Sequence, residues 1–397
     1  MQAYIKPLMD AALFFPFIAL ALTLPFLVVQ YRRYGYVNKL RAAVLYSMLL
    51  YMISAYFLVI LPLPSSTDNC IREGAFWTYS QLVPFTFASE ILNQTQVNFS
   101  QPSTYMLLVK EKAFLQAIFN VFLTIPLGVY ARYYFRRTAF QTGCIAFGVA
   151  CLFEITQITG LFGIFDCPYR LFDVDDFFLN TTGGLLGYFL TPLLTFFLPR
   201  SEKLDEDVEL SQMTVGYVRR LVAFLIDTVV YTIVTGIFTF GIGLFLHRSL
   251  INQGMDTVLA WILYALTSIV GVLIYFVIVP TMTNGRTIGK MVTRIHIVDD
   301  RLQAEQQGRT ITAKALFHRY SLLYTIIIGY NYVFGFIFSF TDLPPIILMS
   351  ALFLYFGIGG LLVLHLIVNF FTRDKRLFYE KWSHTRNVIT ERKDSTS

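Results

Sequence analysis

Apolar residues run along this chain in long blocks, and polar residues gather in the short stretches between them. Nine blocks lie near 11–30, 42–62, 113–131, 139–161, 177–198, 220–246, 257–280, 316–340 and 346–370. Each approaches the roughly 20 residues that a helix needs to cross the hydrocarbon of a bilayer. The pattern predicts an all-α polytopic membrane protein with about nine transmembrane helices. The first block has only Lys6 ahead of it, contains Pro16 and Pro25, and lacks a small-x-small cleavage site. It reads as a helix that stays rather than a signal peptide. RSEKLDEDVELSQMTVGY at 199–216 is polar and acidic, and reads as a cytoplasmic linker. The chain then divides into a membrane domain at 1–198, a linker at 199–215, and a second membrane domain at 216–397.

Composition agrees with this reading. Hydrophobic residues make up 56% and charged residues 14%, where a soluble protein carries about 25% charged, so a large soluble domain is excluded. The net charge of +6 does not signal nucleic acid, because the basic residues sit in short connections between apolar blocks. Those connections alternate. One side collects Arg32, Arg33, Lys39 and Arg41, then Arg132, Arg136 and Arg137, then Arg200, Lys203, Arg219 and Arg220, then the stretch from Arg286 to Arg319 and the tail. The other side has only Lys6, Arg72, Lys110, Lys112, Arg170 and Arg248. Positive residues stay inside, so the N-terminus is expected outside and the C-terminus in the cytoplasm. The basic, aromatic tail at 372–388 is expected to lie on the anionic inner leaflet.

The densest candidate chemistry lies from Glu154 to Tyr188, on the side expected to face out. Glu154 and Gln157 share one helix face by their spacing of three. Asp166 and Arg170 occupy the loop that follows, and Asp173, Asp175, Asp176 and Asn180 open the next block. Asp173, Asp176, Asn180, Gly183 or Gly184, and Gly187 recur at steps of three and four, again one face. Acid this dense beside apolar sequence is costly unless paired or cation-bound. The bland account is a solvated cap in which Arg170 neutralises the carboxylates. Two functional accounts stand beside it. Carboxylates hold a divalent cation that bridges to a phosphate or polyprenyl-phosphate head group gripped by Arg170, or one protonated and one ionised acid work on a lipid-linked substrate. No nucleophile is indicated, since Thr156, Thr159 and Cys167 lack a nearby His. Cys70 and Cys167 fall in external loops; free thiols are expected, with a disulfide as the alternative. No Cys/His spacing suggests zinc.

In the second half, Asp227 lies inside an apolar block, seven residues after Arg220. It is either buried in a pair with Arg219 or Arg220 or with a polar group on another helix, or a proton or Na⁺ site with His365 and Asn369 as candidate partners. NGRTIGKMVTRIHIVDD at 284–300 carries a glycine-punctuated basic turn, and a short strand is expected over Val292 to Val298. Gly285 to Lys290 lacks phosphate-loop spacing and reads as a cytoplasmic turn. Thr312 is the expected N-cap of the following helix.

Both halves resemble known families. Glu154 and Gln157, then Arg170, Asp173, Asp176, Asn180, Gly183, Gly184, Gly187 and Tyr188, are similar to the VanZ-like pattern. VPF at 83–85 and NVFLTIPLG at 120–128 are similar to its other elements. Arg219, Arg220, Ala223 and Asp227, with Gly285, Thr287, Gly289 and Lys290, resemble the RDD family. Its closing pattern is met by Tyr379, Glu380, His384 and Thr385, with Glu380 where the family has Asp and His384 where it has Gly. The resemblance implies a bacterial, especially Gram-positive, plasma-membrane protein. It also implies an association with teicoplanin-type glycopeptide resistance and, for the second half, proposed cation/proton exchange. The expectation is an envelope protein. It binds membrane lipid or a lipid-linked cell-wall group through Glu154, Gln157, Arg170, Asp173, Asp176 and Asn180, and alters access of lipoglycopeptide antibiotics. The alternatives are a cation or proton transporter built on Arg219, Arg220, Asp227 and Glu380, or an enzyme modifying a lipid-linked precursor. A homo-oligomer stays open.

Overall fold

The computed structural model describes residues 2–70, 76–95, 101–206, 208–210, 213–250, 257–301, 311–338, 343–372 and 375–390. Arg72, counted above among the outer basic residues, lies outside them. The chain forms two compact units, one of residues 1–23 and 38–207, the other of 24–37 and 208–397.

The first unit begins in α1 (Gln2–Tyr34), whose last turns group with the second. α2 (Lys39–Ile60) starts on Asn38, whose side chain accepts the Leu40 and Arg41 N–H groups. Such a cap satisfies donors that the first turn of a helix leaves orphaned. The short strand β1 (Ser80–Gln81) and α3 (Thr86–Gln94) follow. Next come α4 (Lys112–Tyr133) and α5 (Ala139–Ile158), the latter opened by a capping box of Thr138 and Gln141. A single-turn element, α6 (Gly160–Gly163), precedes β2 (Phe172–Asp173), which pairs parallel with β1, and α7 (Val174–Leu194).

α7 packs closely on both α4 and α5. A Cβ at Gly187 would collide with the Ile125 carbonyl oxygen, one at Gly183 with that of Val121, and one at Gly128 with that of Gly184. The glycine face read from the sequence is therefore where two helix backbones meet.

Among the described residues eight helices are long and apolar enough to cross a membrane, and α7 is not one of them. Its acids, Asn180 and small residues dilute its apolarity. It must cross nonetheless. Arg41 at the start of α2 pairs with Asp205 at 2.6 Å, beyond the end of α7. Between them α2, α4 and α5 make three crossings, and a fourth is required for the two ends to meet. With α7 the spans among the described residues number nine, in line with the about nine apolar blocks of the sequence.

Cys70 and Cys167 form a disulfide with a Cα–Cα distance of 5.1 Å, which corrects the expectation of free thiols. Asn69 holds the same junction: its side chain donates to the Cys167 carbonyl at 2.8 Å and accepts the Cys167 N–H at 2.9 Å. The two loops are thus apposed by hydrogen bonds as well as by the bridge.

The second unit is built on α8 (Tyr217–Leu250), α9 (Thr257–Val272), a π-helical turn at Leu273–Ile278, and α10 (Val279–Met282). α11 (Ile288–Val292) and β3 (Ile295–Asp299) follow, then α12 (Ala313–Tyr324), a second π turn at Thr325–Gly329, α13 (Tyr330–Phe338) and α14 (Pro345–Phe371). Thr312 caps α12 as expected, accepting the Ala315 N–H. The first π turn widens the helix so that Tyr275, Phe276 and Val277 are all buried in succession.

The tail departs from expectation. It forms α15 (Phe378–Trp382) and β4 (Thr385–Ile389), and β4 pairs antiparallel with β3 from Ile295↔Ile389 to Asp299↔Thr385. Alternate β3 residues Ile295, Ile297 and Asp299 are buried. The stretch that reads as an inner-leaflet anchor is a strand, because its partner supplies the missing hydrogen bonds.

Candidate functional site

In the first unit the acids divide by task. Asp173 is the N-cap of α7 and accepts the Asp175 N–H at 2.9 Å. Its own N–H donates to Glu154 Oε2 at 3.0 Å. Asp175 is buried and accepts the N–H groups of Phe85 at 2.5 Å and Phe87 at 2.9 Å. Phe85 sits in the left-handed region at φ 63 as the cap of α3, so Asp175 fixes a strained start to that helix. Asp176 accepts a short hydrogen bond from the Asn120 amide on α4. Its carboxyl lies close enough to that of Glu154 for the two charges to interact. Two interacting acids are stabilised by a proton or a cation between them. Outside the helices, burial pushes the Asp173 carboxyl above its ordinary range, and the nearby charges of Asp175 and Glu90 add to this against the Asp175 N–H.

Gln157 and Arg170 turn elsewhere. Gln157 donates to the Val59 carbonyl and Arg170 to the Leu61 carbonyl, both at 2.9 Å. These are among the orphaned carbonyls at the end of α2, where a cation is also favoured by the helix dipole. Among the described residues Arg170 forms no ion pair with Asp166, Asp173 or Asp176, so the expected neutralisation does not occur. Asn180 lies deeper, its carbonyl accepting the Thr124 hydroxyl at 2.7 Å while its side-chain oxygen has no partner. The structure thus joins Glu154 and Asp173 directly, sets Asp176 beside them and places Gln157, Arg170 and Asn180 around them. The cage expected for a divalent cation is not assembled: among the described residues no group of three or more His, Cys, Asp or Glu converges to hold a metal. Asn120 was missed as a site residue although it opens the NVFLTIPLG element, and Asp175 was noted without its role.

Alongside, α1, α2 and the 161–164 segment border a cavity of about 610 Å³. Phe14, Phe57, Ile60, Leu63, Phe162 and Ile164 supply apolar walls, and Asp10 and Tyr56 the polar atoms. Leu61, whose carbonyl holds Arg170, lines it too.

In the second unit the expected pairings are rearranged. Asp227 accepts from the Tyr275 hydroxyl at 2.8 Å, the Thr287 hydroxyl at 2.6 Å and the Gly289 N–H at 2.8 Å. Its cation is Lys290 at 3.7 Å, not Arg219 or Arg220. His365 and Asn369 bond to each other, and Asn369 accepts through its carbonyl from Tyr217, so neither serves Asp227. Gly289 is required here, since a Cβ would strike the Ala223 carbonyl and crowd Asp227. Arg219 instead donates to the Thr293 and Arg294 carbonyls at 2.7 and 2.9 Å and lies over the Tyr31 ring at 5.0 Å. Arg220 reaches Glu380 at 2.6 Å and Arg319 reaches the same carboxylate at 2.8 Å. Glu380 is fully buried, and its longer side chain meets both cations. Arg319, Thr287, Tyr275 and Lys290 were not singled out as site residues. Thr287 and Lys290 stand in the motif that resembles the RDD family, while the signal of Tyr275 and Arg319 lies in residue type alone, a polar group inside an apolar helix.

The spans and the buried polar pairs define a multi-pass α-helical membrane protein with two differently organised polar centres. A family model described as VanZ/LLP1 matches residues 48–195, and that of the RDD family matches residues 214–384. The chain therefore joins a VanZ-like domain to an RDD family domain in one membrane envelope protein. No curated protein and no solved structure matches it.

Proposed function

We propose that the VanZ-like unit binds a lipid or lipid-linked cell-wall group at the outer face of a bacterial plasma membrane. In doing so it lowers susceptibility to lipoglycopeptide antibiotics of the teicoplanin type. The observation that carries this reading is the 610 Å³ cavity with the exposed Arg170 held at its edge through Leu61. An acyl chain fits apolar walls of this kind, and an arginine beside them suits an anionic head group. The Cys70–Cys167 disulfide supports the outer placement, since such bridges persist in oxidising compartments.

The exchanger reading of Asp227 loses support, because its oxygens are already taken by three hydrogen bonds and Lys290. The test uses purified protein and a fluorescent polyprenyl phosphate, with Arg170→Gln to remove the head-group contact and Leu63→Trp to fill the cavity. Each variant is expected to weaken binding about tenfold, the worth of one charged hydrogen bond or one buried chain segment. Binding unchanged in both, with intact folding, would sink the proposal.

A further inference from the structure

A second, much smaller chamber lies within the RDD unit. Its volume is about 50 Å³, and its walls include Arg220, Asp227, Lys290, Arg319, Tyr320 and Asn387. Both nearby carboxylates are saturated. Glu380 takes Arg319 at 2.8 Å, Arg220 at 2.6 Å, Asn387 at 2.6 Å and the Leu377 N–H at 3.0 Å. Asp227 takes three hydrogen bonds and Lys290. Three cations face two carboxylates, which leaves one positive charge in excess.

On the residues that line the chamber, the buried side-chain polar atoms without partners are mainly donors: Arg220 Nε, Arg319 Nε and the Tyr320 hydroxyl. Arg319 and Tyr320 are only 2% and 3% exposed, so bulk water does not serve them. Lys290 is weakly held, with its nearest oxygens at 3.5 and 3.7 Å. The single opposing acceptor is Asn387 Oδ1. Buried donors without partners are costly and point to a bound water or ion.

We propose that this chamber binds a monovalent anion of halide size, which takes hydrogen bonds from Tyr320 and the arginines and balances the excess charge. At roughly 10–15 Å³ per water, the volume admits one such ion with one or two waters, one of which serves Asn387. The chamber lies where α8, α11, α12, α15 and the β3–β4 sheet meet, so the ion would pin the folded tail to the membrane helices.

The test compares thermal unfolding of the purified full chain in sodium chloride, sodium bromide and sodium gluconate at equal ionic strength. Saturable stabilisation by chloride and bromide, absent in gluconate, is expected. Tyr320→Phe removes only the hydroxyl and should weaken the apparent halide affinity about tenfold, while its melting in gluconate stays near wild type. Crystals grown in bromide should show its anomalous signal in the chamber. Coincident melting curves in all three salts would mean that water alone fills the space. A halide effect untouched by Tyr320→Phe would place the ion elsewhere, and either result overturns the proposal.

Discussion

At the start of α7 three carboxylates within the four residues 173–176 meet three kinds of partner: the helix's own first turn, a neighbouring helix start and the Asn120 amide. Asp173 lies ahead of the helix and is partly exposed, and burial raises its carboxyl above the usual range. The sign follows from linkage. Below the unfolded value both states hold the proton; as pH climbs, the unfolded chain ionises first, and the contribution is lost through the raised folded value. Asp173→Asn keeps a capable N-cap without the charge. Melting temperatures of purified protein from about pH 4 to about pH 8 should fall more steeply in wild type than in Asp173→Asn. Parallel curves would show that the carboxyl titrates normally.

At the scale of the helix pair, close approach of α4 and α7 sets the geometry of the acids. Asn120 reaches Asp176 and Thr124 reaches the Asn180 carbonyl only because Gly183 and Gly187 let the backbones touch. Gly187→Leu forces a side chain against Ile125 and should cost about 3 kcal/mol, measured as a lowered midpoint of denaturant unfolding in detergent. A midpoint within error of wild type would mean that the helices are not so close. The glycine face was legible because a spacing of three and four is local to one helix. Its partner was not, since nothing in the sequence near Asn120 says which helix it will meet. The same limit explains Asp227: the sequence offers Arg219, Arg220 or a polar group on another helix, and only the fold selects Lys290 from a distant turn. The tail shows it most plainly. TRNVI has strand-forming residues, but its partner Ile295–Asp299 lies far upstream, so the basic aromatic composition dominated. His384, where the family pattern has Gly, adopts φ 51, a conformation His tolerates better than most side chains. That departure is therefore absorbed by the backbone.

For the whole molecule the all-α multi-pass character was legible because apolar length acts along the entire chain, while the direction of the crossings rests on the basic loops alone. The one ambiguous span, α7, is diluted by the very residues that build the site. Its crossing rests on two contacts just past its C-terminal end, Arg41 with Asp205 and the Tyr133 hydroxyl with the Pro199 carbonyl at 2.8 Å, which return the chain to the side where α2 starts and α4 ends. If α7 crosses and basic loops stay inside, residue 201 is cytoplasmic while Cys70 and Cys167 face out. A Ser201→Cys variant tests both together. In intact cells, Cys70 and Cys167 should accept a membrane-impermeant maleimide only after treatment with an impermeant reductant. Cys introduced at 201 should react only once the membrane is permeabilised. Labelling at 201 from outside would turn α7 into a re-entrant element, reverse every later span and put the Glu380-centred tail on the outer face. Labelling of Cys70 only after permeabilisation would invert the whole protein. It would remove the outer lipid site as well, because Arg170 and the cavity beside it share that side with the disulfide.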